Sequence, residues 1–203
     1  MNSRSLLVVI AQCYCATLFA PLASDHALPV PALGAHTSSV AVDTLGQFPK
    51  VEGSSLEGEQ FTLPADFKGE LNVVLVAFTR GQQADVDTWT PFLKTVAARR
   101  PDLRVYELPT LARRYRLVRS FIDGGMRKGI PDVAVRAATI TLYIDKSPFR
   151  ESLQLPDEDR IFVLLVDKQG HVHWRGEGRF DDRKGAELTR RVDEARTAII
   201  PAA

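Results

Sequence analysis

The stretch Leu71-Asn72-Val73-Val74-Leu75-Val76-Ala77-Phe78 is apolar at both alternating sets of positions, Asn72 apart. A strand with one wet face alternates apolar and polar residues. A run that is apolar on both faces belongs in a sheet covered on both sides. Ile161-Phe162-Val163-Leu164-Leu165-Val166 repeats the pattern and predicts a second such strand. Two strands of this kind need a layer above and a layer below.

The flanking segments supply those layers. Trp89, Phe92, Leu93 and Val96 fall at i, i+3, i+4 and i+7, one face of a helix that ends before Pro101, with Asp85 or Asp87 as its N-cap. Leu103–Leu108 reads as a strand. Thr110 is placed to cap a second helix with Leu111, Tyr115, Val118 and Ile122 on one face, stopped by Gly124-Gly125. Ala138–Ile144 reads as a strand, and Ser147-Pro148 as the start of a short helix running through Leu153. After the second buried strand, Asp167-Lys168-Gln169-Gly170 forms a hairpin turn into a return strand over His171–Arg175. Asp181 or Asp182 caps a last helix with Leu188, Val192 and Ala195 inward, and Trp174 packs on that helix. Ahead of Leu71, Phe48–Val51 and Gln60–Leu63 read as two short strands. Strands alternating with helices imply parallel pairing, and the closing hairpin implies one antiparallel edge.

Charge narrows the function classes. Of 203 residues, 26 are Lys or Arg and 25 Asp or Glu. Arg4 is the one charged residue before Asp25, so the remainder carries 25 bases against 25 acids. A chain without a basic surplus is a poor general binder of nucleic acid. The two cysteines are Cys13 and Cys15, both near the N-terminus. Everything after them is without a disulfide, a thiolate metal site or a cysteine nucleophile.

Residues 1–24 have the order of an export signal: a short head with Arg4, an apolar run from Leu6 to Ala20, then small residues at Ala20, Ala23 and Ser24. This predicts a mature protein that is periplasmic or secreted. A membrane anchor over residues 6–23 and a mitochondrial presequence are the alternatives. Residues 25–46 scatter Pro29, Pro31 and Gly34 among small residues and read as a flexible linker. The domain is expected over 47–197, with 198–203 as a tail.

The element order and the Val-Asp-Lys-Gln-Gly turn after a buried strand resemble the thioredoxin-like fold. The resemblance implies an α/β fold: a three-layer α/β/α arrangement around a mixed sheet, with a leading β-hairpin and a closing antiparallel hairpin. It also implies where thiol chemistry would sit, between the first central strand and the first helix, where a helix N-terminus favours a thiolate. Here that segment is Phe78-Thr79-Arg80-Gly81-Gln82-Gln83, with no cysteine, and the residue before Ile161 is Arg160, not the proline usual in the fold. Three further segments, Trp89-Thr90-Pro91-Phe92, Met126-Arg127-Lys128-Gly129-Ile130-Pro131 and Leu165–Gly176, are together similar to the ATP ten family. These are mitochondrial thioredoxin-like factors that assist assembly of the ATP synthase membrane sector. The resemblance implies a chaperone-type, non-enzymatic role with a protein partner at a membrane, and no cofactor. The export signal departs from that family.

Three places carry candidate function. Arg113, Arg114, Arg116, Arg119, Arg127, Lys128 and Arg136 crowd one region against Asp123 and Asp132. On a helix Arg113, Arg116 and Arg119 with Ser120 share a stripe, a surface for an acidic partner or anionic lipid head groups as opposed to an ordinary solvated face. The loop Thr79-Arg80-Gly81-Gln82-Gln83 is a degenerate active-site position; a cysteine-independent enzyme or anion-binding protein could hold an anion at Arg80–Gln83. His171 and His173 alternate on an edge strand and are weak metal candidates, with Glu177, Asp181 or Asp182 to complete a site; a surface pair is the plainer reading.

Overall fold

The chain is described over residues 45–199 in a computed structural model. The strands are β1 (Val51–Ser55), β2 (Gln60–Leu63), β3 (Leu71–Ala77), β4 (Leu103–Ala112), β5 (Ile140–Ile144), β6 (Phe162–Asp167) and β7 (Val172–Glu177). The helices are α1 (Gln83–Ala98), α2 (Arg119–Gly129), α3 (Val133–Ala138), α4 (Lys146–Ser152) and α5 (Asp182–Ile199). One sheet runs β2-β1-β5-β4-β3-β6-β7.

Strand β3 is buried at every residue, as its composition requires. Its odd positions Leu71, Val73, Leu75 and Ala77 pack with Val86, Trp89, Leu93 and Val96 of α1 and Leu188, Val192 and Ala195 of α5. Its even positions Val74 and Val76 face Phe149 of α4, Leu153 and Phe48. Strand β6 divides its residues the same way. Trp89 ties the α1 layer to the sheet edge: it packs against Trp174 with centroids 6.2 Å apart, and its indole N–H donates to the Gly178 carbonyl at 2.9 Å.

Pairing is less parallel than alternation predicts. Only β3–β4 and β4–β5 are parallel. Strand β6 is antiparallel to β3, and the β1–β2 hairpin is added antiparallel to β5. A parallel crossover needs a helix about as long as the strand to carry the chain back to its starting end. The seven-residue α4 crosses the sheet without that return, so β6 starts at the end where β5 stopped.

Other boundaries differ for local reasons. The first strand begins at Val51, and Gly53-Ser54-Ser55 belong to it, with the turn falling after them. A β-carbon on Gly53 would come within 2.7 Å of the Ile140 and Leu142 side chains, which explains the glycine there. Thr110 is no cap; it is buried in β4, which extends to Ala112 because Thr110, Leu111 and Ala112 pair with Leu142, Tyr143 and Ile144. The following segment is a 3₁₀ helix over Arg113–Val118 and then α2, which runs through Gly124 and Gly125. The short α3 is capped by Asp132, which accepts from the Ala134 and Val135 amides. Asp145, two residues before the expected Ser147, caps α4. Asp181 accepts from the Lys184 amide at the start of α5.

Asn72 is the polar exception in β3 and is fully buried. Its carboxamide oxygen accepts from the Gly69 amide at 3.1 Å, and its nitrogen donates to the Gly69 carbonyl at 3.0 Å. It thereby fixes the turn that feeds the central strand. A buried pair of backbone groups left without partners costs about 1–3 kcal/mol. Asn72→Ala is therefore expected to lower unfolding free energy by about that amount in urea titrations, with the sheet intact by circular dichroism.

Candidate functional site

The loop at the end of β3 is closed by its own side chain. Gln82 is buried, and its carboxamide oxygen accepts from the Phe78 amide at 2.7 Å and the Thr79 amide at 3.2 Å. Its nitrogen donates to the Glu158 carbonyl at 2.7 Å. Two amides at this strand–helix junction, those of Phe78 and Thr79, are thus turned onto Gln82. Thr79, Arg80, Gly81 and Gln83 are exposed. Gln83 donates to Asp87, and Asp85 pairs with Arg179 at 3.0 Å. Neither aspartate is the N-cap, a position Gln82 takes. On β4 beside this helix start, burial pushes the Glu107 carboxyl above its usual range; Gln83 pulls it down and Asp87 pushes it up again.

His171 and His173 meet at a residue that the alternation of the strand did not single out. The Asp167 carboxylate is buried at the end of β6. One of its oxygens faces His171 Nδ1 at 3.0 Å and His173 Nε2 at 2.8 Å, and the other accepts from the His171 amide at 2.9 Å. An ionised carboxylate only accepts, so both ring nitrogens facing it carry protons. Burial pushes the Asp167 carboxyl up, but the hydrogen bonds from His173 and His171 outweigh it and hold the carboxyl at about 2. Of the residues expected to complete a metal site, Glu177 pairs with Arg160 and Asp181 with Lys184, while Asp182 is the first residue of α5. Among the described residues no group of three or more His, Cys, Asp or Glu is placed to hold a metal ion.

The basic region keeps most of its charge unpaired. Its two acids are occupied: Asp123 accepts from the Tyr143 hydroxyl at 2.8 Å, and Asp132 caps α3. Burial, then the bond to Asp123, pushes the Tyr143 hydroxyl well above its ordinary range. Arg136 pairs with Glu57. Arg127 donates to the Leu56 carbonyl, Arg119 reaches the Ser54 hydroxyl at 3.5 Å, and Arg114 lies over the Tyr115 ring at 5.0 Å. Among the described residues, no carboxylate pairs with Arg113, Arg114, Arg116, Arg119, Arg127 or Lys128.

Two features of this region go beyond the charge pattern. The large apolar side chains exposed among the described residues all fall within it: Leu117 at 95%, Phe121 at 85%, Val133, Val118 and Tyr115. The face expected to be buried is thus largely in solvent. Secondly, Arg113, Arg116 and Arg119 line a concavity of about 400 Å³ against the ends of β1 and β5. Lys50 and Tyr143, which no motif marks, stand in the same wall.

No protein-family model matches the chain, and neither does any curated protein. Solved structures do. An Aquifex aeolicus VF5 protein, a candidate electron transport protein, superposes with a TM-score of 0.55 at 9% identity, covering 75% of this chain and 98% of that one. BsSco, of the Sco family of cytochrome c oxidase assembly proteins, gives 0.51 at 14% identity over 76% and 96%. Copper-bound yeast Sco1 gives 0.50 at 14% over 77% and 96%. The likeness establishes a thioredoxin-like α/β fold. No helix among the described residues is long and apolar enough to cross a membrane; the expected N-terminal signal or anchor lies outside those residues.

The Asp167 cluster makes stability depend on acid pH. A carboxyl held at about 2, against an ordinary 3.8, stabilises the fold fully above the ordinary value and loses that effect as pH falls toward 2. The expected contribution is on the order of 2 kcal/mol. Asp167→Asn should be less stable at neutral pH, and its stability should fall less steeply than that of the original chain between about pH 5 and pH 2. Urea unfolding across that range checks this; parallel slopes would mean the carboxylate is not held down.

Proposed function

We propose that this chain is a redox-inactive, non-enzymatic interaction protein of thioredoxin-like fold, exported, and acting in assembly beside a membrane-associated protein partner. The observation that carries the reading is the segment from Arg113 to Arg136. It gathers unpaired bases and the exposed apolar side chains Tyr115, Leu117, Val118, Phe121 and Val133 on one stretch of surface. Such side chains lose apolar area to water in the free protein, and a partner that covers them recovers it. Uncompensated bases steer an acidic partner to the same place.

The absence of any cysteine after Cys15 supports the redox-inactive part of the reading. So does Gln82, whose side chain occupies the amides at the junction where this fold otherwise supports a thiolate. The segments similar to the ATP ten family point to a membrane-embedded subunit as the partner class. Sco-family assembly proteins among the fold's neighbours are in keeping with an assembly role.

Two outcomes follow. Purified domain is expected to give no turnover above a heat-killed control in insulin-reduction and peroxide-consumption assays. Leu117→Ser with Phe121→Ser should leave the melting temperature nearly unchanged, since both side chains are already in solvent. The same pair should weaken capture of the membrane partner by roughly a hundredfold or more, the size expected when two buried apolar anchors worth about 1.5–3 kcal/mol each are removed. Unchanged capture at low and high salt would remove the segment from the partner surface.

A further inference from the structure

The 3₁₀ geometry sorts the basic segment into columns. In such a helix residues three apart eclipse one another. Arg113 and Arg116 therefore stack, and Arg119, the first residue of α2, continues the line; Arg114 with Leu117 and Tyr115 with Val118 form the other two columns. The first column alone faces the concavity: Arg113, Arg116 and Arg119 line it, and Arg114, Leu117 and Val118 do not.

The charge of the wall is legible. Lys50 and the three arginines give four cations, and Glu52 and Asp145 are the carboxylates. Asp145 is committed to the Ser147 amide as the cap of α4. Tyr143 gives its proton to Asp123, so it presents no donor inward. Arg119 is steadied by the Ser54 hydroxyl, which in accepting that bond keeps its own proton to donate. The wall thus has a net charge of two, supplied mainly by planar guanidinium forks, which match the oxygens of a tetrahedral oxyanion. Like charges stacked along one column repel, and a bound anion relieves that repulsion.

We infer that this concavity binds a phosphomonoester dianion, held by Arg113, Arg116, Arg119 and Lys50. The inference goes beyond the docking reading above: it uses the inward column, where docking uses Leu117 and Phe121. The phosphate could belong to a soluble ester or to a lipid head group, and the experiment separates the two.

Calorimetry with glycerol 3-phosphate at constant ionic strength tests the soluble source. Sedimentation with phosphatidylcholine vesicles carrying phosphatidic acid tests the lipid source. Binding in either arm that falls by about tenfold in Arg116→Gln and in Lys50→Gln, and by less than twofold in Arg114→Gln, supports the pocket. All three positions are exposed, so folding is not at stake. Binding in the vesicle arm alone assigns the phosphate to lipid. No binding in either arm overturns the inference, as does equal weakening by Arg114→Gln and Arg116→Gln, which would mean diffuse attraction in place of a site. No phosphate binding by the original chain, with partner capture still weakened by Leu117→Ser and Phe121→Ser, would sink the pocket alone; phosphate binding with capture unchanged in that pair would sink the docking reading alone.

Discussion

The two-sided burial of β3 is the constraint on which the rest of the structure depends. Its odd residues would be open to water without α1 and α5, and its even residues without α4 and the chain around Phe48. A strand of valine and leucine left wet on either face would lose roughly 25 cal/mol for each Å² of apolar area exposed. The layers on the two faces are thus coupled through one strand. Asn72 belongs to the same logic, because it sets the turn at Gly69 that positions the strand's first residue. A β-carbon on Gly69 would come within 2.4 Å of the Leu71 carbonyl oxygen and 2.8 Å of the Asn72 carboxamide oxygen, so the turn closes only around a glycine.

Where β3 ends, the sheet hands over to α1, and Gln82 completes that junction from within. Backbone amides at the first turn of a helix have no intrahelical acceptor. In this chain the Gln82 carboxamide accepts from the amides just upstream of the turn and anchors itself to the Glu158 carbonyl. The end of the strand is thus closed by a side chain of the following turn. The accessible, uncompensated chemistry of the domain lies instead just after the end of β4, beside β5 and β1, where Arg113, Arg116 and Arg119 stand.

The layers were legible because each was written in a period. Strands β3 and β6, helix α1 with Trp89, Leu93 and Val96, and α5 with Leu188, Val192 and Ala195 follow directly from apolar spacing. Asp167 was not legible, since in sequence it is one more turn aspartate, and only the fold of β6 back onto β7 sets it between two histidines. Antiparallel pairing of β6 was hidden for a similar reason: it depends on how far α4 carries the chain, which spacing does not encode. The segment after β4 was misread because Leu111, Tyr115, Val118 and Ile122 do have helical spacing. Pairing of Thr110–Ala112 with β5 claimed the first turn of that helix, and what followed had to begin at Arg113.

That displaced start changes the geometry of the arginines. On an α-helix, residues three apart are offset by 60° around the axis, so Arg113, Arg116 and Arg119 would drift across the surface. A 3₁₀ helix turns three residues in a full circle and keeps them in one line. Such helices are rarely longer than a few residues because their hydrogen bonds are poorer, and this one yields to α2 at Arg119, as soon as the third arginine is placed. The extension of β4 ends where the line of arginines begins. The last three residues of the strand fix where the helix begins, and the 3₁₀ form it takes there turns a loose basic stripe into one wall of a concavity.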